Sequence, residues 1–147
     1  MKSIATSDVF DVREEAQVCM AAMRLLVRKR IISGRIRTIR CFEDNVLVKS
    51  TMAEPSEGEV LVVDGGGSLR TTLMGDMIAG AGCSNGWAGA VVIGAVRDSV
   101  ALDALDFHVK CLGTSPRKSA KHGVGEHDVI IEFGDSRFVP GGVVLQR

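Results

Sequence analysis

The sequence predicts a single α/β domain, and three observations carry that reading. The first is length: 147 residues with 46% hydrophobic content suffice for one core, on a scale of about 100–200 residues per domain. The second is a pair of continuous apolar runs, Glu59-Val-Leu-Val-Val63 and Ala88–Val96, of the kind found in strands covered on both faces. The third is the segment between them, Gly75 to Asn85, which places Met77, Ile78 and Ala81 on one side of a helix. Strand, helix and strand in that order make a βαβ-like unit.

The remaining elements follow in chain order. Thr6 and Ser7 are good N-caps for a helix near 7–25, whose buried face carries Val9, Val12, Ala16 and Cys19 to Met23. Between Arg24 and Arg40, seven of seventeen positions are Lys or Arg, interrupted by a turn at Ser33-Gly34. A solvated helix end and strand face is the ordinary reading of such a cluster, and a docking surface is the alternative. Arg35–Cys41 and Asn45–Lys49 read as strands joined by the polar turn Glu43-Asp44-Asn45.

A loop with Pro55, Ser56 and Gly58 leads into the first apolar run, which stops in Asp64-Gly65-Gly66-Gly67. Arg97-Asp98-Ser99 ends the second run and caps a third helix near 99–106, with Ala101, Leu102 and Leu105 facing inward. His108–Leu112 is a short strand, and 113–127 is a loop of a length that is usually functional in a compact domain. Asp128–Phe133, the Gly134-Asp135 turn and Gly142–Gln146 read as a terminal hairpin.

Composition excludes several function classes. Lys plus Arg and Asp plus Glu both number 18, so no broad positive field exists to hold a nucleic acid directly. Five Phe, one Trp and no Tyr supply no row of stacking platforms for single strands. The four cysteines, Cys19, Cys41, Cys83 and Cys111, form no CxxC pair and read as reduced thiols of a cytoplasmic protein. The start of the chain turns polar too soon for a signal peptide. The longest apolar run, Trp87 to Val96, is half of the ~20 residues a membrane span needs. A soluble protein without a membrane partner is therefore expected.

Ligands of α/β units bind beyond the carboxyl ends of strands, and two strand ends here carry suitable groups. At Asp64-Gly65-Gly66-Gly67 neither a phosphate-loop nor a dinucleotide pattern is present. The triplet is either a tight turn or a place where amides approach an anion, near the helix start at Gly75-Asp76. Arg97-Asp98 is sharper, because opposite charges follow a long apolar run. A guanidinium there can grip a substrate carboxylate bidentately, and the aspartate can hold a hard, hydrated divalent cation. The ordinary alternative is a helix cap by Asp98 beside a surface arginine. Asp76, at a helix start, matters if it faces Asp98. His108, His122 and His127 lack zinc-ligand spacing. Pro116-Arg117-Lys118-Ser119 with Lys121 is either a solvated loop or an anion-contacting flap.

Cys41-Phe-Glu-Asp-Asn45, Val62-Val-Asp-Gly-Gly-Gly-Ser-Leu-Arg70, Gly75-Asp76, Asn85-Gly-Trp-Ala-Gly89 and Gly94-Ala-Val-Arg-Asp98, in that order and spacing, resemble the family joining regulator of ribonuclease activity A with the class II 4-hydroxy-4-methyl-2-oxoglutarate aldolases. The resemblance runs from about Thr6 to the last strand. It implies a layered β/β/α swivelling-domain fold and a ring-shaped homotrimer with active sites between subunits. The family's aldolases cleave 4-hydroxy-4-methyl- or 4-carboxy-4-hydroxy-2-oxoglutarate to pyruvate and a second oxo acid with Mg²⁺ or Mn²⁺, and decarboxylate oxaloacetate. Its regulators bind and inhibit an endoribonuclease partner.

The aldolases are marked by an Asp, twenty intervening residues, then Arg-Asp, and Asp76 is followed after twenty residues by Arg97-Asp98. Regulators similar to the founding one lack the second Asp. Carried over residue by residue, the resemblance makes Asp98 the metal ligand and Asp76 a holder of metal-bound water. Arg97 becomes the clamp on the carboxylate and C2 oxygen of a small 2-oxo acid, and the amides of Gly75, Asp76, Met77 and Ile78 complete the carboxylate pocket. A water near Arg97 is the implied proton relay. The chain departs from the family in passing straight from Phe138-Val-Pro-Gly141 to its last strand, where an acidic, aromatic stretch is usual, and in its basic, methionine-rich segment Met20 to Arg30.

Overall fold

A computed structural model describes residues 23–25 and 32–146. Strand β1 (Arg24–Leu25) is followed by β2 (Ile32–Arg40), helix α1 (Val46–Met52), β3 (Val60–Asp64), β4 (Thr72–Met74), α2 (Asp76–Ser84) and β5 (Gly89–Val96). Next come α3 (Val100–Asp103), β6 (His108–Thr114), β7 (Glu126–His127), the hairpin β8 (Ile131–Phe133) and β9 (Ser136–Phe138), and β10 (Val143–Gln146). The main sheet runs β1-β6-β5-β3-β2-β10. Its centre, β6 to β2, is parallel, and β1 and β10 add antiparallel edges.

Alternation along the central strands splits the core in two. Leu61, Val63, Ala90 and Val92 face the helices and pack with Val48, Met52, Ala79, Leu102 and Phe107. Val60, Val62, Val91 and Ile93 face the other way, onto Ile131, Phe138 and Val144 of the β8–β9 hairpin and β10. Helices, sheet and a second β layer therefore stack in the expected β/β/α order. All eight residues of β5 are buried, which is why its sequence is continuously apolar.

Four expectations are corrected. The strand expected at Asn45–Lys49 is the start of helix α1, where Val48, Thr51 and Met52 are buried at helical spacing. The terminal hairpin pairs β8 with β9 through the Gly134-Asp135 turn, whereas β10 pairs with β2. Helix α3 covers Val100–Asp103 only, with Leu102 buried and Ala101 exposed. The long loop is shortened at both ends, by β6 reaching Thr114 and by β7. The helix expected near 7–25 lies outside the described residues apart from its last positions, and of these Arg24 and Leu25 are strand.

Strand β3 stops opposite Ile93. The chain makes an excursion through residues 65–71 and returns as β4 in the same lane, beside Ala95 and Val96 of β5. That return brings the start of α2 against the carboxyl end of β5.

Candidate functional site

The Arg97 amide donates to the Met74 carbonyl at 2.8 Å. A Cβ placed on Gly75 would stand 3.6 Å from that of Arg97. The Ala79 amide donates to the Gly75 carbonyl, so the amides of Asp76, Met77 and Ile78 precede the helical ladder, and Gly75 offers no side-chain cap. Three donors and the positive end of α2 thus lie beside the arginine. Asp76 is half-buried, while Arg97 and Asp98 are exposed. None of the three side chains forms an ion pair with another described residue.

The cap of α3 is Ser99, whose hydroxyl accepts from the Leu102 amide at 3.0 Å. Asp98 is therefore not consumed as a helix cap, and the ordinary alternative for this aspartate loses its physical basis. Gly75 to Ile78, Arg97 and Asp98 thus come to one end of the sheet.

The triple glycine is a tight turn. The Gly65 and Gly67 amides both donate to Ile93 O, the Ser68 amide donates to Gly65 O, and the Gly66 amide donates to Asp64 Oδ1. Positive φ at Gly66 and Gly67 explains the residue type. With those donors spent inside the loop, it makes no anion cradle. Glu43 latches the far side of the excursion by accepting from Ser68 Oγ at 2.7 Å and Arg70 Nε at 2.8 Å. Ser68, then Arg70, hold its carboxyl below the ordinary range.

The basic loop is pinned along its length. Thr72 N donates to Arg117 O at 2.8 Å and Ala120 N to Glu43 O at 2.8 Å, while Ser119 Oγ donates to Thr72 O at 2.7 Å. Asp44, 3% exposed, accepts from the amides of Val46, His122, Gly123 and Val124. Burial pushes its carboxyl up, but the four amide donors outweigh burial and hold it below the usual value. Lys121 Nζ donates to Asn45 Oδ1.

Sequence reasoning missed the roles of Asp44 and Asn45. An Asx pair directly before an apolar segment is a helix-start signal that would have found α1. Nothing local connects either residue to the loop near 122. Cys41 and Cys111 are buried. Burial first, then Asp44 and Asp64, pushes the Cys41 thiol up to about 12, and burial pushes Cys111 to about 11. Cys19 lies outside the described residues. His122 and His127 are exposed, and no three His, Cys, Asp or Glu residues cluster as a metal cage among the described residues.

A family model described as RraA-like, Aldolase/RraA, matches residues 5–146. The chain belongs to this RraA-like family. It is 42% identical to a Geobacillus kaustophilus structure described as an S-adenosylmethionine: 2-dimethylmenaquinone methyltransferase, covering 97% of this chain and 89% of that one at a TM-score of 0.94. It is 39% identical to the RNA-processing inhibitor RraA from Thermus thermophilis, covering 99% and 88% at a TM-score of 0.95. An unusual Streptomyces coelicolor member of the RNase ES inhibitor RraA family is 26% identical, covering 94% and 72% at a TM-score of 0.72. The layered fold is thus that of RraA structures, and no described helix is long and apolar enough to cross a membrane.

Proposed function

We propose that this RraA-like protein is a divalent-metal-dependent aldolase. Its substrates are 4-hydroxy-4-methyl-2-oxoglutarate or 4-carboxy-4-hydroxy-2-oxoglutarate, cleaved to pyruvate and a second oxo acid, with oxaloacetate decarboxylation as a side activity. The observation that supports it is the convergence of Arg97 and the open α2 amides at the joined ends of β4 and β5, with Asp98 left free by the Ser99 cap.

The donor set fits the metal class. Aspartates with no third His, Cys, Asp or Glu clustered beside them among the described residues suit Mg²⁺ or Mn²⁺, hard cations that keep waters and take oxygens from the substrate, better than a closed zinc cage. In this reading Asp98 holds the ion directly and Asp76 holds it through water. When bound, the ion supplies positive charge near the oxygen that becomes an enolate. Arg97 contributes a planar fork that grips the substrate carboxylate and C2 oxygen. The α2 amides bind the carboxylate from the other side.

In cleavage the C3–C4 electron pair moves toward C2 and the C2 oxygen, and the C4 hydroxyl passes its proton to a water beside Arg97, the relay that the family resemblance implies, as that carbon becomes the carbonyl of the second oxo acid. Protonation of the enolate at C3 then yields pyruvate. Loss of CO₂ from oxaloacetate leaves the same enolate, so one charge arrangement serves both reactions. A homotrimer belongs to this reading: Met77 and Val100, 85% and 88% exposed, stand in the first turns that carry Asp76 and follow Asp98, where a neighbouring subunit would cover them.

The alternative is a non-catalytic regulator that binds and inhibits an endoribonuclease, favoured by the likeness to the Thermus RNA-processing inhibitor. Methyl transfer, named for the Geobacillus relative, finds no support in a glycine loop whose amides are already bonded. The deciding experiment is pyruvate release from both hydroxy oxo acids and from oxaloacetate, with Mg²⁺ and then with excess chelator. Release that stops in chelator and returns with Mg²⁺ supports the aldolase. Unchanged release in chelator removes the metal role, and no pyruvate at any metal concentration favours the regulator.

A further inference from the structure

We propose that the Thr72 hydroxyl is a positioning group for the site, setting the angle at which the open amides of α2 face Arg97. This rests on the aldolase reading and adds to it a residue that touches neither substrate nor metal.

Strand β4 is irregular at the place where the site is assembled. Thr72 stands opposite Ala95 of β5 and Met74 opposite Val96, so two steps along β4 answer one step along β5, and Leu73 is the extra residue of a bulge. In an unbroken ladder Met74 would stand opposite Arg97. The bulge instead leaves the Met74 carbonyl to accept the Arg97 amide at 2.8 Å, and Gly75, from which α2 starts, follows directly. Bulges re-aim what comes after them, and here that is a helix start. The fold makes room for the extra residue: a Cβ on Gly65 would stand 2.5 Å from Leu73 Cδ1, and one on Gly94 3.4 Å from it.

The Thr72 side chain holds this bulge in shape. Its hydroxyl, in a residue only 7% exposed, donates to the Met74 carbonyl at 3.0 Å, the same oxygen that accepts from Arg97. A carbonyl oxygen with both lone pairs engaged has its direction fixed, and the peptide plane joining Met74 to Gly75 is fixed with it. Thr72 is itself anchored from the opposite lane: its amide donates to Arg117 O at 2.8 Å, and its carbonyl accepts from Ser119 Oγ at 2.7 Å. Ser119 has a single proton to give, so in its 2.8 Å contact with Thr71 Oγ1 the threonine is the donor. Three hydroxyls and two carbonyls thus lead from the basic loop to the backbone of Arg97.

The test uses the full chain with Mg²⁺ and pairs turnover with pyruvate binding measured by calorimetry. Thr72→Val keeps the branched shape and leaves the Met74 carbonyl bonded to the Arg97 amide, so the chain should fold. It should raise the pyruvate dissociation constant and lower kcat/KM for 4-hydroxy-4-methyl-2-oxoglutarate by about tenfold or more, because a binding group misplaced by ~1 Å can cost ~100-fold. Thr72→Ser, which keeps the hydroxyl, should restore both. Ser115→Ala removes another hydroxyl bond of the same loop, to Arg70 O, without touching Met74; it should lower melting temperature and leave both constants unchanged. Unmoved constants in Thr72→Val overturn the proposal and leave the aldolase reading standing. Failure of Thr72→Ser to restore binding, or an equal loss in Ser115→Ala, would show a purely structural role and also overturns it. An unmodified protein that neither binds nor releases pyruvate removes both.

Discussion

The Arg97 amide is bonded to the Met74 carbonyl at 2.8 Å, and this bond joins the two strand ends on which the site depends. Residue 97 can move relative to the start of α2 only if it breaks. Substitutions of the Arg97 side chain therefore leave the backbone frame in place, and their effects read as chemistry.

Asp98→Asn should abolish turnover while melting temperature stays unchanged, because Ser99 rather than Asp98 caps α3. Ser99→Ala should do the reverse, costing about 1 kcal/mol of stability with turnover retained. Arg97→Lys keeps the charge but loses the planar fork, and should weaken oxo-acid binding by ~2 kcal/mol. Turnover and melting temperature measured side by side for the three variants check this. Intact turnover in Asp98→Asn would move the assignment to the regulator.

Light scattering after size exclusion should give three times the 15.6 kDa chain. Charging the exposed apolar side chains with Met77→Asp and Val100→Asp should shift the protein toward monomer. A monomer of unaltered activity would refute sites shared between subunits.

Asp44 makes stability acid-sensitive. Its carboxyl is held below the ordinary aspartate value by four amides, so the folded state favours the ionised form. That stabilisation is present above the unfolded value and disappears as pH falls through the folded one. Asp44→Ala strands buried donors and should cost about 2 kcal/mol at neutral pH. Asp44→Asn should show a flatter acid limb in urea denaturation followed from neutral into acid pH. Parallel acid limbs for the variant and the unmodified protein would contradict this.

Thiol reactivity should be ordered by burial. Cys41 and Cys111, pushed up to about 12 and about 11, carry almost no thiolate at about pH 8. Among the described cysteines, the less buried Cys83 should label first with an alkylating reagent, and mass mapping of a brief reaction checks the order. Rapid labelling of Cys41 in the native protein would contradict the buried placement.

The legible parts of the fold were those whose burial is written into neighbouring residues. The runs at 60–64 and 89–96 are covered on both faces, so their apolar continuity announced them. Arg97-Asp98 stood out because charge interrupts such a run. Helix α1 was misread because Val46-Leu47-Val48 has the composition of a strand, and its helical phase shows only when Val48, Thr51 and Met52 are counted together. The last strand was assigned to the wrong neighbour because the partner of Val143–Gln146 is Ile32–Arg35, and pairing across the chain leaves no local mark. The Gly134-Asp135 turn itself was correctly located, with positive φ at both residues. The Lys121–Asn45 contact was illegible for the same reason as the β10 pairing: it is made by the fold and not by neighbours in the chain.

The interval between Asp76 and Arg97 behaves as a ruler. It contains the body of α2, the turn through Gly86 and the whole of β5, a rigid crossover that leaves β4 and returns beside it in fixed register. One residue added within the helix would rotate its far end by about 100°, and one added within the strand would exchange its two faces. The excursion at 65–71 lies outside that circuit. A change of loop length there would break the Glu43 latch on Ser68 and Arg70 and leave the span from Asp76 to Arg97 unaltered, so it should register in stability and not in the width of the site.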